Sequence, residues 1–312
     1  MRGRPDLTAR VGAVTLRNPV MTASGTAGHG AELAGHLDLA GLGAVVVKSV
    51  SAGAWGGNPQ PRLHPTAGGM LNSVGLQNPG AAAWLTDELP PLVDTGATVV
   101  ASIWGFTVQD FARAAAIIAG GAPASVVAVE ANISCPNIED RRRMFAHDPE
   151  AAAEVVAAVR DALGDRLPLW VKLSPNVTDL PAIAGPVLEA GASALTLVNT
   201  LMGLAIDPAS GRPHLGAGGG GLSGPALHPV AVRAVYECRA AFPAAPIVGV
   251  GGITTGADAA EMLAAGADAV QVGTATFAEP RAPARVLAEL RTWCRRHRID
   301  RLDDLIGRAH AS

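Results

Sequence analysis

The sequence predicts an α/β protein folded as a (β/α)8 barrel. Three observations lead to this class: a length of 312 residues, eight short apolar runs rich in β-branched residues, and helical patterns between the runs. Near-continuous apolar runs are typical of parallel strands buried on both faces. Eight strand-then-helix units predict a closed barrel, for which about 250 residues are typical. The runs cover 19–24, 44–50, 98–104, 126–134, 167–174, 194–200, 246–252 and 269–276.

The helices between these strands carry recognisable start signals. At 148–150, Asp-Pro-Glu places an N-cap before a proline at the first helical position. Thr107 with Asp110 and Thr255 with Asp258 have the spacing of a capping box, with Asp in place of the usual Glu or Gln. Apolar residues that follow the first signal trace one helix face: Ala152, Val155, Val159 and Leu163.

The chain is longer than a minimal barrel. We expect the surplus in an N-terminal extension and in loops inserted at the C-terminal face, at 51–80 and 203–224. The main alternative is a doubly wound open sheet, which usually begins with a GxGxxG turn after its first strand. The stretch TASGTAGHG at 22–30 lacks that spacing. No linker is visible, so residues 1–312 are predicted to form one domain.

Composition excludes several function classes. A net charge of −3 without a basic run argues against a nucleic-acid partner. The three cysteines, Cys135, Cys238 and Cys294, form no CxxC pair and no zinc spacing, and their number is odd. A reducing cytoplasm fits this usage best, and no metal site is expected. The N-terminus lacks the apolar run of a signal peptide, and no run is long enough to cross a bilayer.

Nearly every predicted strand ends in a polar residue or a glycine. In barrels of this kind the chemistry lies at the C-terminal ends of the strands. A buried ion pair would explain Lys48 or Lys172 alone, because a lysine in an apolar strand is costly unless it is paired or faces a ligand. Two lysines converging with amides on one mouth predict a functional site. The strand-end residues are Ser24, Gly25, Lys48, Ser49, Ser102, Asn132, Cys135, Lys172, Asn199, Thr200, Gly251, Gly252, Gly273 and Thr274.

Glycines follow strands 7 and 8, in VGVGGITTGAD and VQVGTATF. The corresponding loops of such barrels commonly bind phosphate through backbone N–H groups and a helix N-terminus. One loop alone would be read as a tight turn. Two adjacent loops predict a phosphorylated cofactor or substrate.

Four asparagines form a weaker signal. A carboxamide offers one acceptor and two donors, so several facing one ligand could read a flat ring with alternating C=O and N–H groups. A single asparagine in such loops is more often a turn former. The four are Asn72, Asn132, Asn137 and Asn199.

Longer motifs resemble the class 1 dihydroorotate dehydrogenases, flavin enzymes of pyrimidine synthesis. They span most of the chain in family order, and their wording is most similar to the type B subgroup, which passes electrons to NAD through a separate iron–sulfur and FAD subunit. The motifs are NPVMTASGT (18–26), GNPQPRL (57–63), GMLNSVGLQNPG (69–80), NISCPN (132–137), VKLSPN (171–176), LVNTLMGLAID (197–207), GGLSGPAL (220–227) and the glycine-rich stretch 249–277.

This resemblance implies a barrel with FMN at its mouth that oxidises (S)-dihydroorotate to orotate. It places Cys135 at the catalytic base and Lys48 where negative charge develops. The family's FMN positions correspond to Ala23, Ser24, Lys48, Ser49, Ser102, Asn132, Lys172, Val198, Gly224, Gly251, Gly252, Gly273 and Thr274. The substrate positions correspond to Lys48, Asn72, Ser73, Val74, Gly75, Leu76, Asn132, Asn137, Asn199 and Thr200. The resemblance also implies a homodimer and an iron–sulfur/FAD partner subunit.

Some residues depart from the type B pattern. Ser102 replaces an asparagine that contacts FMN, Trp104 brings bulk near the site, Pro65 stands where Glu is common, and Arg141–Arg143 make the loop after Cys135 basic. A paralogue acting on another dihydropyrimidine or cyclic amide is therefore an alternative substrate hypothesis. A barrel that acts on sugar phosphates is a third, but it would need an acid/base pair at the strand ends. Fumarate or a quinone remains open as acceptor.

Overall fold

Eight parallel strands close into a barrel in the computed structural model, which describes residues 5–134 and 145–311. Each strand pairs with its neighbour in the chain, and the eighth returns to the first. This confirms the predicted (β/α)8 class. The strands are β1 Val20–Thr22, β2 Val45–Val46, β3 Val99–Ile103, β4 Val126–Asn132, β5 Leu169–Lys172, β6 Ala194–Leu197, β7 Ile247–Val250 and β8 Ala269–Val272.

The barrel closes at a short seam between β1 and β2. In the described part of the chain, Met21 and Ala44 form the one bridge across it. By contrast, β1 and β8 pair at three positions. The Thr22 hydroxyl accepts from the Val46 amide at 2.9 Å and donates to the Val46 carbonyl at 3.2 Å. A side chain therefore supplies pairing that a longer β2 would make through its backbone.

Helices surround the barrel, and their predicted caps are confirmed. Thr107 and Asp110 form a reciprocal capping box, as do Thr255 and Asp258. The Asp148 side chain accepts from the Ala151 amide at 2.9 Å. The main helices are α1 Leu89–Asp94, α2 Val108–Gly121, α3 Pro149–Leu163, α4 Pro181–Glu189, α5 His228–Ala241, α6 Gly256–Ala264 and α7 Ala282–His297. Shorter helical elements are Leu39–Gly41, Ala81–Ala83, the π-helical turn Trp84–Glu88, Phe145–His147, Pro225–Leu227, Ala275–Ala278, Leu302–Asp304 and Arg308–His310.

The two inserted loops are more ordered than the sequence indicated. The loop 51–80 contributes two strands to a four-stranded antiparallel sheet above the barrel, and the loop 203–224 contributes one. The fourth strand ends at residue 203, where the second loop begins. Glycines and partial exposure hide the period-two pattern that would have revealed these strands. Their order across this small sheet is Leu201–Gly203, Gly220–Ser223, Gly69–Asn72 and Leu63–Thr66.

The N-terminal extension forms a hairpin at the opposite end of the barrel. Its strands Ala9–Val11 and Val14–Leu16 pair in antiparallel fashion. Gly12 turns between them with a φ of 59°, which favours glycine. A Cβ added at Gly12 would lie 3.3 Å from the Ser193 carbonyl oxygen, just before β6 begins. The hairpin therefore packs against the N-terminal end of the barrel, away from the mouth.

Candidate active site

Side chains from four strand ends form one hydrogen-bonded network at the mouth. The hydroxyls of Ser49 and Ser102 lie 2.8 Å apart, after β2 and within β3. The Asn132 amide, at the end of β4, donates to Ser49 Oγ at 3.5 Å. Asn199, after β6, donates to Asn132 Oδ1 at 3.1 Å. The structure thus brings together the polar strand ends that the sequence predicted to converge.

Lys172 reaches this mouth from inside the barrel. Its ammonium donates to Ser24 Oγ at 3.3 Å and lies 3.8 Å from Glu130 Oε1. The other Glu130 oxygen, Oε2, accepts from Gln271 at 2.6 Å and from Thr196 at 3.1 Å. The buried ion pair left open as an alternative for Lys172 is therefore present. Among the described residues the ammonium donates one hydrogen bond, to Ser24, and it has three protons, so it can also donate to a ligand.

Two buried oxygens of this cluster have no hydrogen-bond donor among the described residues. They are Oε1 of Glu130 and Oε1 of Gln271. Buried polar atoms are usually paired, so each such atom needs an explanation. Glu130 lies within the apolar run of β4 and was not assigned to the site from the sequence. Gln271 was missed because one amide in an apolar strand carries no motif.

Lys48 lies two residues beyond the end of β2, half-buried, and its backbone amide donates to the Gly28 carbonyl at 2.8 Å. Burial lowers the pKa of its ammonium, and the charge of Arg62 lowers that pKa further. A lysine with a reduced hydration shell stabilises nearby negative charge more strongly. The position of Lys48 therefore suits a group that develops an anion.

His29 lies in the loop after β1 and was not predicted. Burial lowers its pKa to about 4, and the charge of Lys48 acts in the same direction. Its Nε2 atom is buried without a hydrogen-bond partner in the described part of the chain. From the sequence, His29 could have been predicted only by its place in the loop after β1, because the loops that follow barrel strands converge on the mouth.

The glycine loops after β7 and β8 expose backbone donors. Gly251 and Gly252 have φ values of 141° and 66°, and a Cβ at Gly252 would lie 2.8 Å from the Gly224 carbonyl oxygen. No hydrogen bond within the described residues engages the amides of Gly252, Gly273 or Thr274. Such N–H groups, on loops that follow neighbouring strands, are donors that an anion could use, and they are called the phosphate cradle below.

The N-terminus of α6 is not part of this cradle. Asp258 accepts from the amides of Thr254 and Thr255, both at 2.8 Å. The Gly256 amide donates to Glu289 Oε2 at 2.8 Å. Because carboxylates already occupy these donors, the expected contribution of a helix N-terminus does not come from α6.

The remaining predicted site residues flank the same mouth. Val198 is buried after β6 and donates to the Val250 carbonyl at 2.8 Å, and Ala23 donates to the Val272 carbonyl at 3.0 Å. The side-chain amide of Asn72, the last residue of one small-sheet strand, donates to the Gly221 carbonyl of the neighbouring strand at 3.2 Å. Thr274 and Ser223 share a hydroxyl hydrogen bond of 2.8 Å.

Cys135, Asn137 and Arg141–Arg143 lie outside the described residues. Of the described residues next to it, Ser134 donates to the Lys172 carbonyl at 3.4 Å and Ala146 donates to the Ile133 carbonyl at 3.1 Å. The other two cysteines are buried in α5 and α7, on the outer helices.

Over residues 5–134 and 145–311, no group of three metal-ligating side chains could hold an ion. None of the helices described there is both long and apolar enough to cross a membrane.

Comparison with known proteins identifies the family. Residues 6–293 match the family model described as dihydroorotate dehydrogenase. The chain is 46% identical to the "dihydroorotate dehydrogenase B (NAD(+)), catalytic subunit" of Geobacter sp. (strain M21), over 97% of this chain and 98% of that protein. It is 48% identical to the protein of the same name from Desulforudis audaxviator (strain MP104C), over 96% of each. It is 44% identical to a "putative dihydroorotate dehydrogenase A (fumarate)" from Solibacter usitatus (strain Ellin6076), over 97% and 98%. The chain therefore belongs to the dihydroorotate dehydrogenase family.

Proposed function

We propose that this protein oxidises (S)-dihydroorotate to orotate, a step of de novo pyrimidine biosynthesis, in the cytoplasm. Residues 1–312 would form one FMN-binding domain. The observation that carries the proposal is the set of contacts at the strand ends: Asn199 donates to Asn132, and Lys172 donates to Ser24. On the loops after β7 and β8, three backbone amides make no hydrogen bond within the described residues. Family membership over nearly the whole chain supports the same reaction.

FMN fits the donors present. The amides of Gly252, Gly273 and Thr274 would hold its phosphate, because they donate no hydrogen bond within the described residues. The surroundings of Gly252 leave no room for a side chain at that position. Lys172, Ser24 and Asn132 would hold the polar edge of the ring. When bound, FMN supplies the hydride acceptor for C6 of the substrate.

The residues of this chain would bind the substrate and move its proton. The amides of Asn72, Asn132 and Asn199 offer donors and acceptors to the flat dihydropyrimidine ring. Lys48 would bind the anionic substrate and stabilise negative charge during proton removal. Cys135 follows Ser134 directly in the sequence, and its Sγ is proposed to take the proton from C5.

The final electron acceptor requires a second protein in this proposal. The sequence contains three cysteines and no dinucleotide fingerprint, so the chain cannot itself carry an iron–sulfur cluster and bind NAD in a known way. We therefore propose an iron–sulfur/FAD subunit as partner. The relative whose name includes fumarate favours the alternative, in which the chain passes electrons to fumarate without an iron–sulfur/FAD subunit. NADH formation from dihydroorotate only after the second subunit is added would support the partner, whereas fumarate reduction by the chain alone would contradict it.

A homodimer is also proposed. The small sheet and the segment that follows it expose the apolar side chains of Leu63, Met202, Leu204 and Ile206. Exposed apolar patches on a folded chain mark interaction surfaces. Sedimentation of the wild-type protein at a mass of one chain at micromolar concentration would contradict this part.

Anaerobic flavin reduction tests the reaction. Dihydroorotate should bleach the visible absorbance of the FMN-loaded wild-type protein. Cys135→Ala should retain FMN but bleach about 100-fold more slowly or worse, which is the range for loss of a general base. Cys294→Ala, which removes a buried thiol on α7, is the matched control and should bleach as the wild type does. An FMN-loaded wild type that dihydroorotate does not reduce would overturn the proposed function.

A further inference from the structure

The segment 72–76, here called the substrate loop, adopts a backbone that needs outside support. Gly75 has a φ of 71° and Leu76 a φ of 60°. Two consecutive residues thus lie in the left-handed region, and the second carries a branched side chain. Such conformations persist only where the surrounding structure holds them.

The first part of the same inserted loop, residues 51–62, supplies that support, largely through its backbone. The amides and carbonyls of Trp55 and Asn78 exchange two hydrogen bonds, of 2.9 and 3.0 Å. The Asn58 amide donates to the Val74 carbonyl at 3.1 Å, and its side chain donates to Ser73 Oγ at 3.0 Å. Residues 51–62 therefore hold the substrate loop through hydrogen bonds at its start and just after its end.

One side chain reaches the strained turn itself. The indole N–H of Trp55 donates to the Gly75 carbonyl at 2.9 Å. That carbonyl belongs to the peptide group between the two left-handed residues, so this hydrogen bond fixes its orientation. The Trp55 side chain is 41% exposed, yet its indole N–H donates to a protein carbonyl.

The ring of Trp55 is braced by two other aromatic residues. Its centroid lies 5.0 Å from Phe106 and 6.5 Å from Trp104, both edge-on. Trp104 and Phe106 are themselves 4.7 Å apart in the same arrangement. Edge-to-face contacts at these distances are favourable. Trp104 follows β3 directly and donates its amide to the Val50 carbonyl at 3.0 Å, so the aromatic cluster is rooted in the barrel.

We infer that Trp55 is a positioning residue for the substrate: it holds the Gly75 peptide and, with it, the substrate loop in the binding conformation. The inference rests on the proposed function for the identity of the substrate. It also gives Trp104 a role, because its bulk braces Trp55 beside the mouth. Trp55 itself would touch neither the substrate nor the cofactor.

The test uses Trp55→Phe, which keeps an aromatic ring and removes the donor. Losing one hydrogen bond that holds the bound conformation should raise the KM for dihydroorotate and the Kd for orotate about fivefold to tenfold. The kcat should change less than twofold, because the groups at the reacting atoms are intact. Trp293→Phe is the control, since Trp293 stacks on His297 in α7, away from the mouth. An unchanged KM and Kd in Trp55→Phe, or an equal rise in Trp293→Phe, would overturn the inference.

A second measurement separates this inference from the proposed function. Backbone amides in residues 72–78 should exchange hydrogen with solvent faster in FMN-loaded Trp55→Phe than in the wild type, and at the wild-type rate in Trp293→Phe. This readout needs no substrate. If dihydroorotate fails to reduce the wild-type flavin, the proposed function is wrong. The hydrogen-exchange measurement still tests whether Trp55 holds the loop. Wild-type exchange in Trp55→Phe removes that role.

Discussion

The carboxylate of Glu130 lies 3.8 Å from the ammonium of Lys172, and both side chains are buried inside the barrel. Neutral donors from Gln271 and Thr196 occupy one carboxylate oxygen and turn the other toward the lysine. Removing either partner of such a pair leaves an uncompensated charge in a medium of low dielectric constant. The two residues therefore act as a unit.

Glu130→Gln should lower the free energy of unfolding by about 3–5 kcal/mol, since Lys172 loses its counter-ion. Thr196→Val removes one neutral hydrogen bond to the same carboxylate and should cost about 1 kcal/mol. Chemical denaturation without added FMN measures both. A Glu130→Gln variant no less stable than Thr196→Val would show that the pair contributes nothing.

Gly252→Ala should weaken FMN binding at least tenfold. The added Cβ would lie 2.7 Å from the backbone nitrogen of His228 and 2.8 Å from the Gly224 carbonyl oxygen, so the loop must shift away from the phosphate cradle. Gly307→Ala is the matched control, because Gly307 has a similar φ of 68° and open space around it. Fluorescence titration of FMN into the flavin-free proteins measures both affinities. Equal affinities in the two variants would remove Gly252 from the cradle.

His29 should make stability depend on pH. Its folded pKa of about 4 lies below the ordinary value of 6.5. As the pH falls from 6.5 towards 4, the unfolded chain binds a proton that the folded protein does not, so stability falls across this window. His29→Phe removes this contribution. Its free energy of unfolding relative to the wild type should therefore rise as the pH falls from 6.5 to 4, and parallel curves would contradict the prediction.

Cys238 and Cys294 should not react with thiol reagents in the folded protein. Burial raises the pKa of their thiols to about 12 and about 11, and the thiolate is the reactive form. At pH 8 the native protein should titrate with at most one equivalent of Ellman's reagent, and the unfolded protein with three. Two or more fast equivalents in the native state would contradict this.

The barrel was predictable because its strands are buried on both faces. Residues such as those of β5 and β8 are apolar with one polar exception each, and they contact other protein atoms on every side. The small sheet was not predictable for the opposite reason. Its strands, such as Gly69–Asn72, are half-exposed and glycine-rich, so neither periodicity nor apolar content distinguishes them from loop.

The sequence predicted those site residues whose location follows from their place at a strand end. It did not predict those brought to the site by contacts between loops. The convergence of Asn132 and Asn199 follows from strand ends meeting at one mouth. The link from Trp55 to Gly75 joins residues of one insert whose fold the sequence does not indicate. The assigned roles of the site residues, including Cys135, stay predictions until the flavin experiments are done.

The contact between β1 and β2 at Thr22 is a weakly paired part of the barrel. Among the described residues, one bridge, two backbone hydrogen bonds and the Thr22 hydroxyl join β1 to β2, so we expect local opening to begin there. Ser24 and Lys48 each lie two residues past the paired ends of this seam. A ligand that binds both residues would join the two sides of this seam, and its release would make local opening of the barrel there easier.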